Sequence, residues 1–184
     1  MTAFKSFLSS LIVDDEPIYH GNRVKVCGGP IADFYTDVVA GGIETDLYVN
    51  NVIAGLIDAD GEKLRAEYSL IGTVNPMFPG TFYQPRLYFA GQNIFDPGPL
   101  AGGVGPLVLV AMIKIDMLLI RQSATEARAI VVYEDNSGVV TTMETDLVGL
   151  DWTVGNLLQL TGQVGAISSL TAKLGAVFFH PVAS

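Results

Sequence analysis

Cysteine is almost missing from this sequence. One residue, Cys27, stands in 184, which excludes an intrachain disulfide framework and a cysteine-rich zinc site. Histidine is nearly as scarce. His20 and His180 sit near opposite ends of the chain, and neither has the Ser, Cys or His–x–x–Glu context of nucleophilic or zinc chemistry. Positive charge is also short: 10 Lys+Arg stand against 19 Asp+Glu, for a net charge of −9. No basic surface is left to neutralise phosphates, so direct nucleic-acid binding is excluded. Long apolar runs are missing too. The longest, 106–120, is broken by Lys114 and Asp116 and falls short of the about 20 residues of a spanning helix. The start of the chain, with Lys5 and short apolar stretches ahead of Asp14-Asp15-Glu16, lacks the long apolar core of a secretory signal.

What is present is hydrophobic and β-patterned. Hydrophobic residues make up 49% of the chain and charged residues 16%, the reverse of a disordered composition. From Glu62 to Leu70, Leu64, Ala66, Tyr68 and Leu70 alternate with Lys63, Arg65, Glu67 and Ser69, the two-residue period of a half-buried strand. Residues 46–57 are rich in β-branched side chains, and the turn composition of Asp58-Ala59-Asp60-Gly61 predicts a hairpin over 46–70. A second hairpin is expected from 127–133, the turn 134–138, and 139–146. Further strands are expected at 23–27, 31–39, 86–90, 107–119, 157–163 and 176–181. The best helical candidates are 2–13, where Phe4, Phe7, Leu8, Leu11 and Ile12 share one face, and 164–173. Closely spaced strands with 20 Gly and nine Pro predict an all-β domain: a jelly-roll barrel or sandwich of about 8–10 antiparallel strands over 23–184, behind an N-terminal arm, 1–22. Nothing divides that domain.

The chemistry-bearing motifs are weak. Asp58-Ala59-Asp60-Gly61-Glu62 starts like a calcium loop, but its glycine comes fourth instead of sixth and the strand begins at once. It reads as a turn. Asp14-Asp15-Glu16 reads as a solvated acidic turn. Gly102-Gly103-Val104-Gly105-Pro106 lacks the strand, helix and Gly-Lys-Ser/Thr ending of a phosphate loop. No catalytic, cofactor-binding or metal-binding residue is assigned, and an enzyme is not expected. Cys27, at a strand end before Gly28-Gly29-Pro30, is either buried and inert or bridged to another chain.

Two long connections, 72–85 and 91–106, are apolar where solvent-facing loops are polar. They carry Met77, Phe78, Phe82, Ile94, Phe95, Leu100 and Val104. Loops of this length are usually functional, and these either pack on a neighbouring subunit or cap the chain's own core. A monomer this hydrophobic would expose large apolar patches, which mark interfaces, so extensive subunit contacts are expected. The acidic skew, with a pI near 4.4, is that of an acidic protein kept soluble by self-repulsion or adapted to high salt, where screening makes excess carboxylate cheap.

In size, acidity, strand density and want of an active site, the chain resembles the smaller major capsid protein of tailless, internal-membrane icosahedral viruses of halophilic archaea (sphaerolipovirus-like). That resemblance implies an upright single jelly roll in a virion shell. Its partners would be copies of itself, a larger capsid protein and the internal viral membrane, with no small-molecule substrate and no cofactor. It also implies that Cys27 links neighbouring chains and that residues 1–22 reach a neighbour or the membrane side. The alternative is a carbohydrate- or small-ligand-binding β-sandwich, with Trp152, Tyr83 or Tyr88 as a stacking platform beside acids such as Asp151.

Overall fold

The computed structural model describes the backbone of residues 24–30, and residues 42–100, 109–135, 138 and 140–181 in full. The expected arm 1–22, the strand 31–39, His20, the Asp14–Glu16 turn, the 102–106 glycine run and Val104 lie outside the described residues.

Among the described residues ten strands follow one another: β1 (Val24–Pro30), β2 (Thr45–Val52), β3 (Lys63–Val74), β4 (Tyr83–Phe89), β5 (Gln92–Phe95), β6 (Leu109–Arg121), β7 (Glu126–Asp135), β8 (Val140–Val148), β9 (Asn156–Val164) and β10 (Ser168–His180). They form two antiparallel sheets, one ordered β1-β10-β3-β6-β7-β8 and the other β2-β9-β4-β5. The pairs β1·β10, β2·β9, β3·β6 and β4·β5 are the rungs of one long antiparallel ribbon, folded so that alternate rungs fall in opposite sheets. That is the jelly-roll order. The β7–β8 hairpin is inserted between β6 and β9 and widens one sheet from four strands to six.

The two-residue period of β3 is kept over its whole length, with Leu64, Ala66, Tyr68, Leu70 and Val74 buried. Its neighbour β6 inserts Ile113, Ile115, Met117 and Leu119 into the same layer. The four-stranded sheet answers with Leu87, Phe89, Leu158 and Leu160. Aromatic contacts join the layers. Tyr48 meets Tyr68 edge-on at 5.5 Å, and Phe95 stacks on Tyr133 at 5.8 Å. Gly175 makes room for the first pair, since a Cβ there would lie 3.2 Å from both rings.

Three sequence expectations are corrected. Residues 46–70 are not a hairpin: β2 pairs with β9 in one sheet and β3 with β6 and β10 in the other. The turn at Asp58–Gly61 is real, with the Asp58 and Ala59 N–H groups donating to the Glu62 carboxylate at 2.7 and 2.9 Å, but it carries the chain between sheets. Residues 164–173 are not helical. Val164 ends β9, a tight corner follows, and Ser168 opens β10. The long connections are shorter than they read, because β3 runs to Val74, β4 starts at Tyr83, and β5 lies inside 91–106. The hairpin 127–146 is present as β7–β8.

The β9–β10 corner leaves no room. A Cβ on Gly165 would fall 1.9 Å from the Gly80 carbonyl oxygen and 2.7 Å from the Phe82 ring. Gly165 N–H donates to Phe82 O at 2.9 Å, and Ala166 N–H to Gly80 O at 3.2 Å. Gly165→Ala is therefore expected to cost roughly 3 kcal/mol, the upper range for overpacking, read as a lower urea midpoint. Gly138→Ala, in an open turn, should cost about 1 kcal/mol.

Candidate functional site

The outer face of the four-stranded sheet carries a charged cluster that no local motif announces. Arg86 on β4 projects outward opposite Thr161 on β9. Its Nη1 donates to Glu44 Oε2 at 2.8 Å and its Nε to Asp96 Oδ2 at 3.0 Å. Gln84 Nε2 and the Gly98 N–H complete Asp96 at 2.6 and 2.9 Å, and the Thr161 hydroxyl donates to the other oxygen of Glu44. The Arg86 side chain is 14% exposed, so one cation sits between two carboxylates under limited solvent. Burial pushes the Asp96 carboxyl up, but donation from Gln84, Gly98 and Arg86 outweighs it and holds the group below its ordinary value. Burial, with help from Glu44, raises the Tyr88 phenol. Beside the cluster lies a shallow depression of about 350 Å³ lined by Glu44, Thr45, Asp46, Tyr88, Gly91, Gln159 and Thr161.

The end of the sandwich at the 53–62, 121–126 and 149–155 connections is pinned by Arg121. Its Nη1 donates to Ile57 O at 2.9 Å, its Nε contacts Asp60 at 3.2 Å, and its guanidinium lies 5.7 Å from the Trp152 ring centroid. Asp60 is thus an ion-pair partner. Among the described residues no group of three or more His, Cys, Asp or Glu is placed to hold a metal.

The outer face of the six-stranded sheet has a different character. Cross-strand rows run Phe178–Arg65–Leu118–Ile130–Glu144, Ala176–Glu67–Asp116–Val132–Thr142 and Leu174–Ser69–Lys114–Glu134–Val140. They are flanked by Lys63–Ile120–Arg128–Asp146 on one side and by Ile71–Met112 and Thr73–Val110 on the other. The outward positions of β6 are Val110, Met112, Lys114, Asp116, Leu118 and Ile120, where a solvated sheet would be polar. Met112 is 65% exposed and Val110 53%. The charges among them nearly cancel: four cations, Lys63, Arg65, Lys114 and Arg128, stand among five acids, Glu67, Asp116, Glu134, Glu144 and Asp146. Arg65 contacts both Glu67 and Asp116, and Arg128 contacts Asp146.

The candidate interface residues separate into groups. Met77 and Phe78 are exposed on the loop that follows Val74, at the same end of the sheet as Leu109 and Val110. Phe82 is half-buried against the β9–β10 corner. Leu100 pairs with Tyr83 through two backbone hydrogen bonds and packs on the core. Ile94 and Phe95 are fully buried in and beside the β5 pairing; they belong to the core, because β5 is a strand and not part of a loop. Cys27 lies opposite Val177 on edge strand β1, and its side chain is outside the described residues. Trp152 and Tyr83 are buried, which removes them as stacking platforms. Tyr88 is half-buried beside the depression, and Asp151 caps Thr153 through its N–H and hydroxyl at 2.9 and 2.6 Å.

No protein-family model matches the chain, and no curated protein does. Similar solved structures include a Lotus tetragonolobus seed lectin isoform, at 10% identity over 92% of this chain and 96% of that one, with a TM-score of 0.47. Peanut lectin with a 9-mer peptide follows at 8% identity over 91% and 89%, TM-score 0.41. T=1 particles derived from infectious bursal virus follow at 14% identity over 86% and 39%, TM-score 0.30. Likeness at these levels bears no functional weight, so function is read from the chain's own surfaces.

The cluster sets two expectations. Arg86→Met leaves Glu44 and Asp96, each about a third exposed, without their cation and should cost about 1–2 kcal/mol, between the values for exposed and buried pairs, read by denaturant unfolding. The depressed Asp96 pKa means that its contribution is present above the ordinary value of 3.8 and is lost as pH falls through the folded-state value. Below about pH 5, where protonation of the unfolded chain begins, Asp96→Asn should therefore flatten the fall in melting temperature relative to the parent.

Proposed function

We propose that this protein is a structural subunit of a virus-type shell, a jelly roll that works by being packed beside copies of itself. The observation that carries the reading is the outer face of the six-stranded sheet. Its central and flanking rows together expose or half-expose Val110, Met112, Leu118, Ile120, Ile130, Val132, Leu174 and Phe178 while their charges nearly cancel. The chain as a whole carries −9, and Asp46, Asp58, Asp60, Asp96 and Asp151 lie in the four-stranded sheet and the connections. Two copies meeting by their acidic sides repel; two meeting by this face do not, and they remove apolar surface from water. On the sequence resemblance, the further partners are a larger capsid protein and an internal viral membrane, and the location is the virion. Cys27 serves as a bridge to a neighbouring chain.

Light scattering on the purified chain at rising concentration and salt tests this. Dimers or larger assemblies are expected, together with regular particles or sheets by electron microscopy. A monomer at every concentration overturns the reading. Val110→Glu with Met112→Glu should reduce assembly at least tenfold without changing the circular-dichroism spectrum. For Cys27, a covalent dimer band on a non-reducing gel is expected from the native assembly.

A second reading, a carbohydrate-binding module, is favoured by the depression beside Tyr88, where Asp46, Gln159 and Thr45 offer hydrogen-bonding groups on an open polar floor. Saturable thermal stabilisation by a glycan, lost in Asp46→Ala, would promote it.

A further inference from the structure

The two sheets present four edges, and three of them are blunted against strand addition. On β1 the register shifts between Lys25 and Cys27, leaving Val26 as an extra residue, and the strand ends in Gly28-Gly29-Pro30. On β2 the register shifts between Asp46 and Tyr48. The third edge, β5, is four residues long. Bulges, proline and short length are the devices by which edges avoid unwanted pairing.

The fourth edge, β8, has none of them. Its nine residues, Val-Thr-Thr-Met-Glu-Thr-Asp-Leu-Val, contain no glycine, proline or lysine, and it pairs with β7 from Val148 to Val140 without a register shift. Among the described residues no strand lies on its outer side, so alternate residues turn their N–H and C=O groups toward that side. The inner side of β8 is anchored: Leu147 is buried, and Met143 packs on the core. It is a firm, regular template.

We infer that β8 is a strand-pairing site for β8 of a second copy, antiparallel about a two-fold axis at Met143, joining two six-stranded sheets into one of twelve. The inference rests on the self-association reading and names its contact. The charges of β8 select the register. Continuing the same face from copy to copy requires that residues of equal parity lie opposite each other. The fullest overlap centres on Glu144 and sets the two Glu144 carboxylates face to face. Centring on Thr145 sets Glu144 against Asp146. Like charges directly opposite destabilise a pair. Centring on Met143 opposes Glu144 with Thr142, Asp146 with Val140, and Thr141 with Thr145, so no acid faces an acid. Asp146 is moreover neutralised within its own chain by Arg128 at 2.8 Å.

Two charge variants at the exposed Thr142 test the edge pairing in the full chain by sedimentation equilibrium, and a cysteine on the proposed axis tests its register. With the axis at Met143, Thr142→Lys places a cation opposite Glu144 of the other copy twice per dimer, and should tighten the dimer about threefold to tenfold. Thr142→Glu should loosen it by a similar factor. Equal affinities for the two variants, or the reverse order, overturn the inference. In a Cys27→Ser background, Met143→Cys puts two thiols on the axis, where antiparallel partners stand about 4.5–5.5 Å apart at Cα, within disulfide reach. Mild oxidation should cross-link it at least tenfold more than Thr145→Cys. The Val110→Glu/Met112→Glu chain separates the two claims. If that chain loses all assembly while the Thr142 variants change nothing in the parent, the edge pairing fails and the shell reading stands. If dimers respond to Thr142 but nothing larger ever forms, the shell reading fails and the edge pairing stands.

Discussion

The structure depends on one constraint: a single antiparallel ribbon has to keep its pairing while passing back and forth between two sheets. Each rung, β1·β10, β2·β9, β3·β6 and β4·β5, satisfies backbone hydrogen bonds along its own length, and each crossing turns the next rung to face the last across the core. Apolar side chains must therefore alternate in every strand with the phase that points them inward. A one-residue slip would turn the buried set of β3 out to solvent. The corners are correspondingly tight, as at Gly165, where the neighbouring carbonyl occupies the space of a side chain.

The two outer faces answer different physical demands. On the four-stranded side the exposed positions are tied into an ion network around Arg86, whose Nη1 and Nε donate to Glu44 and Asp96. That network braces the sheet and leaves a shallow polar hollow beside it. On the six-stranded side the outward rows of β6, β7 and β10 are half apolar, and the ion pairs among them are local. The inserted hairpin enlarges this second surface and supplies its regular edge.

Much of this was legible in the sequence, and the illegible part has a physical cause. Alternation in Lys63–Leu70 and around 127–146 identified strands, because period two is written residue by residue. Turn chemistry was equally plain at Asp58–Gly61, but a turn's composition does not say whether the flanking strands pair or part, and there they part. The strand β5 went unread because four residues between glycine- and proline-rich stretches carry too little pattern. The first half of β10 read as a helix because its bulge between Ala172 and Leu174 breaks the period. Arg86 gave no signal. Its partners, Glu44 and Asp96, are 42 and ten residues away, and only the juxtaposition of β4 with its surroundings brings them together. The apolar loop residues divide for the same reason: Met77 and Phe78 lie in a true connection, whereas Ile94 and Phe95 were core residues hidden in apparent loop sequence.

The outermost rung of the ribbon joins Val24 to Phe179, residues at nearly opposite ends of the described chain. Pairings of such long sequence separation make folding slow. During synthesis β3 waits for its second neighbour until β10 has emerged from the ribosome, so the greasy strands made first remain sticky for most of translation. A polypeptide built this way exposes apolar surface for longer as it folds, which makes its yield in a cell sensitive to expression rate and temperature.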